Sequence, residues 1–247
     1  MAPKKTKTPD PTGLKLVDQL ASMNPPTLDA YIAAASEYVR ASSPLASPAL
    51  GAGPKKAGQI RLSNALAHVL KAELTARLPT MRDPIAGEHT VSGGLREVDA
   101  DVSESNALDG LRLAVEIKPV NLSVGRAIWN RFGDIRTFAV NLHLKFPFAV
   151  VGGVLAIPTY EEGKKAKGEP FKRSVTHLID RAVARLSRAG GRQTEGDAPH
   201  LLEGVCVLVY DPDTQTLNPD LPPRGSGLRW EEFVDELVMA YEARFPE

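Results

Sequence analysis

The sequence has a single cysteine, Cys206, so it can form neither an intramolecular disulfide nor a cysteine-rich zinc site. It lacks any apolar run of about 18 residues, which argues against a membrane span. Its 30 basic and 30 acidic residues leave no net charge, so nucleic-acid binding would have to come from local patches. The five histidines show no HxH or HExxH spacing, which argues against a zinc hydrolase. These absences predict a cytoplasmic protein without a membrane segment.

The N-terminal sequence has basic residues with no apolar stretch behind them, unlike a secretory signal. We expect a disordered basic tail over 1–13. The main domain is predicted over 60–247. Between them, 14–59 is predicted to be a helical extension followed by a linker rich in Ala, Ser, Pro and Gly, with two helices and the linker at 14–23, 27–40 and 41–59.

Hydrophobic periodicity predicts alternating helices and strands in the main domain. Residues 61–78 have the spacing of an amphipathic helix, and the near-continuous apolar runs 148–157 and 204–210 are typical of strands buried on both faces. The other predicted elements are a weak strand at 88–91, strands over 95–103 and 111–118, helices over 124–144, 174–189 and 230–244, and a charged loop over 160–173. This order predicts an α/β fold, with a mixed central sheet and helices on both faces.

The stretch 96–119 concentrates the residue types that phosphodiester chemistry needs. Because alternate residues of a strand share a face, Asp99 and Asp101 should project together from one strand, and Glu116 and Lys118 from the next. Mg²⁺ takes carboxylate ligands together with water and phosphate oxygens. The metal acidifies a bound water, and a nearby lysine can position or deprotonate that water. The stretch therefore predicts a Mg²⁺-dependent nuclease site.

Two registers of this hairpin stay open, and they disagree on which aspartate is central. One register places Asp99 opposite Glu116. A tight turn on Asp109-Gly110 instead places Asp101 opposite Lys118. Asp99 and Asp101 are therefore alternative metal ligands. The same alternation places Arg96, Val98, Ala100 and Val102 together on the other face of the first strand. On the second strand it predicts an apolar face made of Leu111, Leu113, Val115 and Ile117.

Asp99 or Asp101, followed by Glu116-Ile117-Lys118, resembles the PD-(D/E)XK nuclease superfamily, which includes many type II restriction endonucleases. The predicted order over residues 60–160 is similar to the superfamily core, although Val98 stands where a proline often precedes the aspartate. The resemblance implies a restriction-endonuclease-like fold, with Asp99, Glu116 and Lys118 as catalytic residues and Mg²⁺ as the cofactor. It also implies a double-stranded DNA substrate and a homodimer, because cutting both strands needs two sites.

Some superfamily members use a further carboxylate from the first core helix, for which Glu73 is the candidate here. Candidates for DNA binding lie on the helix after the hairpin and in the charged loop: Arg126, Asn130, Arg131, Lys164 and Lys165. The leading hypothesis is a Mg²⁺-dependent, sequence-specific type II restriction endonuclease. The alternatives are a non-cutting DNA-binding or assembly module on a nuclease fold, and a nuclease of repair or phage defence.

Overall fold

The computed structural model describes residues 14–47 and 49–246, so the predicted tail over 1–13 lies outside the described residues. The helices are α1 Lys15–Leu20, α2 Leu28–Ser42, α3 Ala52–Arg77, α4 Val124–His143, α5 Thr176–Leu186 and α6 Trp230–Arg244. The strands are β1 Ile85–Ser92, β2 Glu97–Asn106, β3 Gly110–Pro119, β4 Val150–Pro158, β5 Tyr160–Lys164, β6 Pro170–Ser174, β7 Gly204–Asp211 and β8 Thr216–Leu217. None of the described helices combines the length and hydrophobicity that a transmembrane segment needs.

Six strands form one mixed sheet in the order β1-β2-β3-β4-β7-β8. Strands β3, β4 and β7 run parallel, and the remaining pairs are antiparallel. One face of the sheet packs on α1, α2, α3 and α6, and the other packs on α4 and α5. The predicted α/β class, with a mixed sheet and helices on both faces, is confirmed.

Strands β4 and β7 form the centre of the core and are buried almost throughout, as their apolar runs predict. Gly153 of β4 lets α4 approach the sheet closely. A Cβ at this position would lie 2.4 Å from Cγ2 of Ile135 in α4. The helix therefore packs directly on the backbone of β4, beside the strand that carries Glu116 and Lys118.

Two predictions that polar composition suggested are wrong. Residues 52–59, predicted as part of a linker, form the start of α3. Pro54 lies in the first turn of this helix, where a backbone N–H has no helical partner and the missing proton is tolerated. The segment 160–173, predicted as a charged loop, forms the β5–β6 hairpin. Its charges face each other across the two strands and stabilise them as ion pairs.

A β-bulge at Arg112 changes which way the side chains of β3 face. Glu104 pairs with Leu113 and Ser105 pairs with Leu111, so Arg112 is an extra residue on β3. As a result Leu111 joins the apolar cluster under α4, whereas Leu113, Val115 and Ile117 join the cluster under α3. The predicted common face of these four residues is therefore wrong for Leu111.

The regular alternation of β2 also breaks, and it breaks at Asp101. Val98 and Ala100 pack in the cluster under α4, but Val102 packs in the cluster under α3. The predicted common face of these three apolar residues is therefore wrong for Val102. The break coincides with a register shift in the neighbouring strand β1, between Ala86 and His89.

A buried charge cluster lies at the N-terminal ends of the central strands β4 and β7. Glu203 Oε1 accepts hydrogen bonds from Arg192 Nη1 at 2.8 Å and pairs with Arg244 Nη1 at 2.7 Å, and Oε2 accepts from Val151 N at 2.7 Å. Burial acts to raise the pKa of Glu203, but His143 and Arg244 hold it below its ordinary value. The cluster joins the segment after α5 and the end of α6 to β4.

Candidate functional site

The pairing of β2 with β3 follows neither of the two predicted registers. Val102 lies opposite Val115 and Ser103 opposite Ala114, so the partner of each residue on β2 is two residues away from its partner in either predicted register. This pairing brings Asp101 next to the Glu-Ile-Lys triplet. The Asp101 carboxylate accepts a hydrogen bond from the backbone N–H of Ile117 at 2.6 Å. The Asp101 carboxylate therefore accepts the hydrogen bond that a backbone carbonyl would accept in a regular β-sheet.

The two candidate aspartates occupy different environments. Asp101 is 6% exposed, and Ser63 Oγ of α3 donates to its second oxygen at 3.4 Å. Burial raises the pKa of Asp101, while the Ile117 N–H and the charge of Lys118 oppose the increase. Asp99 is exposed and accepts a hydrogen bond from Thr90 Oγ1 at 2.7 Å. Burial and bonding to β3 favour Asp101 as the candidate metal ligand, although Asp99 lines the same cleft.

Glu116 and Lys118 project together from β3, and they form an ion pair between Glu116 Oε1 and Lys118 Nζ. Glu116 is 6% exposed, and its second oxygen, Oε2, has no hydrogen-bond partner among the described residues. Burial raises the pKa of Glu116 from 4.5 to about 7, against the opposing effect of Lys118, while Asp101 and Asp134 add to the increase. The pair thus leaves one buried carboxylate oxygen free to bind a cation.

These side chains border a cleft of about 390 Å³ between the sheet and α4. A second cleft of about 200 Å³ adjoins it on the α3 side, and the two share Glu88, Asp101 and Lys118. Within the described residues, no three His, Cys, Asp or Glu side chains are close enough to hold a metal by themselves. A cation here would therefore complete its coordination with water and phosphate oxygens, as Mg²⁺ usually does.

Sequence reasoning missed four residues of this site. Glu88 of β1 and Asp134 of α4 line the larger cleft, and Gln59 and Ser63 of α3 line the smaller one. Gly87 before Glu88 is a sequence sign of a bulge, because an isolated glycine inside a strand often marks one. Gln59 and Ser63 of α3 and Asp134 of α4 carry no comparable signal in the sequence. Only the packing of these two helices against the sheet brings them to the cleft.

A chain of hydrogen bonds holds the end of β3 next to α3. Tyr210 Oη donates to Asn121 Oδ1 at 2.7 Å, and Asn121 Nδ2 donates to Gln59 Oε1 at 3.2 Å. Gln59 Nε2 then donates to the carbonyl oxygen of Pro119 at 3.2 Å. Because Pro119 directly follows Lys118, this chain positions the backbone of the candidate lysine.

The structure does not bring Glu73 into the site. Its carboxylate accepts a hydrogen bond from the indole Nε1 of Trp230 at 2.9 Å. Ten residues of α3 separate Glu73 from Ser63, which corresponds to about 15 Å of helix. The expected acidic contribution of this helix is therefore wrong, because the positions of α3 that reach the cleft carry Gln59 and Ser63.

The predicted DNA-binding residues lie on two separate elements. Arg126, Asn130 and Arg131 are exposed on α4, and of these three only Arg131 lines a cleft of the site. Arg131 Nη1 pairs with Asp134 at 2.9 Å. Lys164 and Lys165 are exposed at the turn of the β5–β6 hairpin rather than in a loop. Arg131 of α4 thus borders the site, whereas the two lysines of the hairpin turn line neither cleft of the site.

Comparisons with family models, with curated proteins and with solved structures find no significant match to this chain. The candidate site therefore depends on its own geometry. It consists of a buried aspartate bonded to the backbone of β3, a buried glutamate with one unpaired oxygen, and a partly exposed lysine.

Proposed function

We propose that this chain is a Mg²⁺-dependent endonuclease that hydrolyses phosphodiester bonds in double-stranded DNA. The observation that carries the proposal is the grouping of Asp101, Glu116 and Lys118 on adjoining strands at one cleft. The order α3, β1, β2, β3, α4, β4 supports a restriction-endonuclease-like core, which is the order that the PD-(D/E)XK resemblance implies. Among nucleases, we favour a type II restriction enzyme.

The residues present fit a Mg²⁺ ion. The site offers oxygen ligands only, and the unpaired Oε2 of buried Glu116 is a group that a cation would satisfy. Asp101 and Glu116 would hold the ion. When bound, Mg²⁺ supplies a Lewis acid that acidifies a water and stabilises charge on the phosphate. Lys118, a quarter exposed beside Glu116, would position the attacking water or donate to a phosphate oxygen.

The location of the β5–β6 hairpin supports a nucleic-acid partner. Lys118 of β3 lies beside Leu155 of β4, and the hairpin begins at Tyr160, five residues further along the same chain direction. The hairpin therefore leaves the sheet at the carboxyl ends of the parallel strands, where Lys118 also lies. Tyr160 Oη and Lys172 Nζ both donate to the carboxylate of Asp213, which holds its base in place. Its exposed lysines can then contact DNA phosphates. We propose a homodimer, because two-fold symmetry supplies a site for each DNA strand.

Cleavage of plasmid DNA with Mg²⁺ tests the proposed function, with EDTA as the metal-free control. We expect nicked and linear products from the unaltered chain and none from Lys118→Ala or Asp101→Asn. Asp99→Asn is the matched control, because it makes the same change two residues away on the same strand. Cleavage by Asp99→Asn with loss in Asp101→Asn would support the assignment of Asp101.

The products also separate the proposed role from its alternatives. Discrete fragments would support a restriction enzyme, and a smear would favour non-specific cutting in repair or defence. Retained DNA binding with no cleavage of any substrate would refute the proposal and favour a non-cutting module on this fold.

A further inference from the structure

Strand β1 contains a β-bulge directly beside the candidate site. Ala86 pairs with Val102 and His89 pairs with Ala100, so Gly87 and Glu88 together lie opposite the single residue Asp101. Gly87 has a φ of +99°, a conformation that residues with side chains rarely adopt. Bulges of this kind turn a side chain away from its regular direction, and they often lie next to active sites.

The bulge brings the carboxylate of Glu88 to the cleft. Glu88 lines both clefts of the site together with Asp101 and Lys118. It lies close enough for its negative charge to act on Asp101. Glu88 is exposed and forms no ion pair with another described residue. In the described part of the chain its carboxylate does not lie close enough to Asp101 and Glu116 for the three to hold a metal as they stand, so the exposed side chain of Glu88 would turn toward the cation when it binds.

Glu116 gives an independent indication that a cation belongs in this cleft. Its Oε2 atom is buried and has no hydrogen-bond partner within the described part of the chain. A buried carboxylate oxygen without a partner is costly unless a ligand satisfies it. Glu116 and Glu88 line the same cleft, with Asp101 also in its lining.

We propose that Glu88 is a further carboxylate ligand of the cation, shared with Asp101, and that the Gly87 bulge directs it there. This inference rests on the proposed function. A third negative charge strengthens divalent-cation binding, because affinity rises with the number of charged ligands. The cation in turn relieves the repulsion between the two carboxylates that the bulge holds near each other.

Binding of Mn²⁺ to the DNA-free chain, measured from the electron paramagnetic resonance signal of the free ion, tests the inference. We expect Glu88→Gln to weaken Mn²⁺ binding about tenfold, as loss of a metal-site partner typically does. Glu97→Gln is the matched control, because Glu97 is an exposed glutamate at the start of β2 and is expected to leave Mn²⁺ binding unchanged. Gly87→Ala is expected to weaken binding as well, since alanine strains the bulge although the space around it is open.

The outcomes separate this inference from the proposed function. Unchanged Mn²⁺ binding in Glu88→Gln, in a chain that still binds Mn²⁺ and cleaves DNA, would overturn the role of Glu88 alone. Absence of both Mn²⁺ binding and cleavage in the unaltered chain would overturn the nuclease and the third ligand together. A thermal melt of each variant, matched to the unaltered chain, shows that weaker binding reflects the lost carboxylate rather than lost fold.

Discussion

Replacing Glu116 by glutamine should stabilise the cation-free protein at pH 8 and leave its stability nearly unchanged at pH 4.5. Glutamine is neutral and close in shape to a protonated glutamate. It therefore removes a charge that the folded chain holds in a buried position. The effect is opposite to the loss of stability that most buried substitutions cause.

The size of this effect follows from the pKa of Glu116. Burial raises that pKa from 4.5 to about 7 in the folded chain. Below pH 4.5 both the folded and unfolded chains keep the proton, and between pH 4.5 and about 7 only the folded chain keeps it. The free energy of unfolding therefore falls as the pH rises through this window, by about 3 kcal/mol in total. Glutamine is free of this loss, so Glu116→Gln gains up to about that amount at pH 8.

Urea unfolding in EDTA, followed by tryptophan fluorescence at pH 4.5 and pH 8, measures the difference. The chain has two tryptophans, Trp129 and Trp230, that report on α4 and α6. Glu97→Gln, at an exposed position, is the control and should show no pH-dependent gain. A Glu116→Gln variant that is less stable than the unaltered chain at pH 8 would refute the reasoning. It would mean that Lys118 compensates the buried charge fully.

Two further predictions concern the buried polar groups that support the site and the sheet. Tyr210→Phe leaves Asn121 Oδ1 without its donor and should reduce the free energy of unfolding by about 1 kcal/mol in urea titrations; an unchanged value would show that the contact contributes nothing. Glu203→Gln leaves the buried Arg192 and the half-buried Arg244 without their carboxylate partner and should cost about 3–5 kcal/mol at pH 7. Because the folded pKa of Glu203 lies below its ordinary value of 4.5, this loss should shrink as the pH falls below 4.5 toward the folded pKa, and a pH-independent loss would contradict it.

The elements that bury apolar surface could be predicted from sequence. The runs in β4 and β7 and the spacing in α4 each reflect a local pattern, and the structure forms all three elements near the predicted bounds. The hairpin β5–β6 could not be predicted in this way. Its strands are short and polar, and cross-strand ion pairs such as Glu161 with Arg173 replace the apolar alternation that identifies a strand.

The pairing of β2 with β3 could not be predicted because two local features compete for it. The dipeptide Asp109-Gly110 suggests a tight turn, but the turn spans residues 107–109, and Gly110 pairs with Asn106. Arg112, an extra residue on β3, then shifts the register by one further residue. Nothing near Arg112 in sequence indicates a bulge. Its guanidinium lies over the rings of Tyr241 and Phe245 in and after α6, about 130 residues away in sequence. The bulge that helps to set this register therefore involves a contact with α6 that the local sequence does not indicate. The resulting register places Asp101, rather than Asp99, next to Glu116.

The hydrogen bond from the Ile117 N–H to Asp101 gives this aspartate a structural reason to persist in evolution that does not depend on the proposed chemistry. A relative without the proposed cleavage activity would still need an acceptor for this backbone group, because an unpaired N–H inside the sheet is costly. Lys118 is partly exposed and pairs with Glu116, and within the described residues its ammonium group makes no hydrogen bond to the backbone. In a relative of this chain, retention of the aspartate alone would therefore say little about the proposed cleavage activity. Loss of the lysine would instead indicate a lineage that had kept the fold without the proposed chemistry.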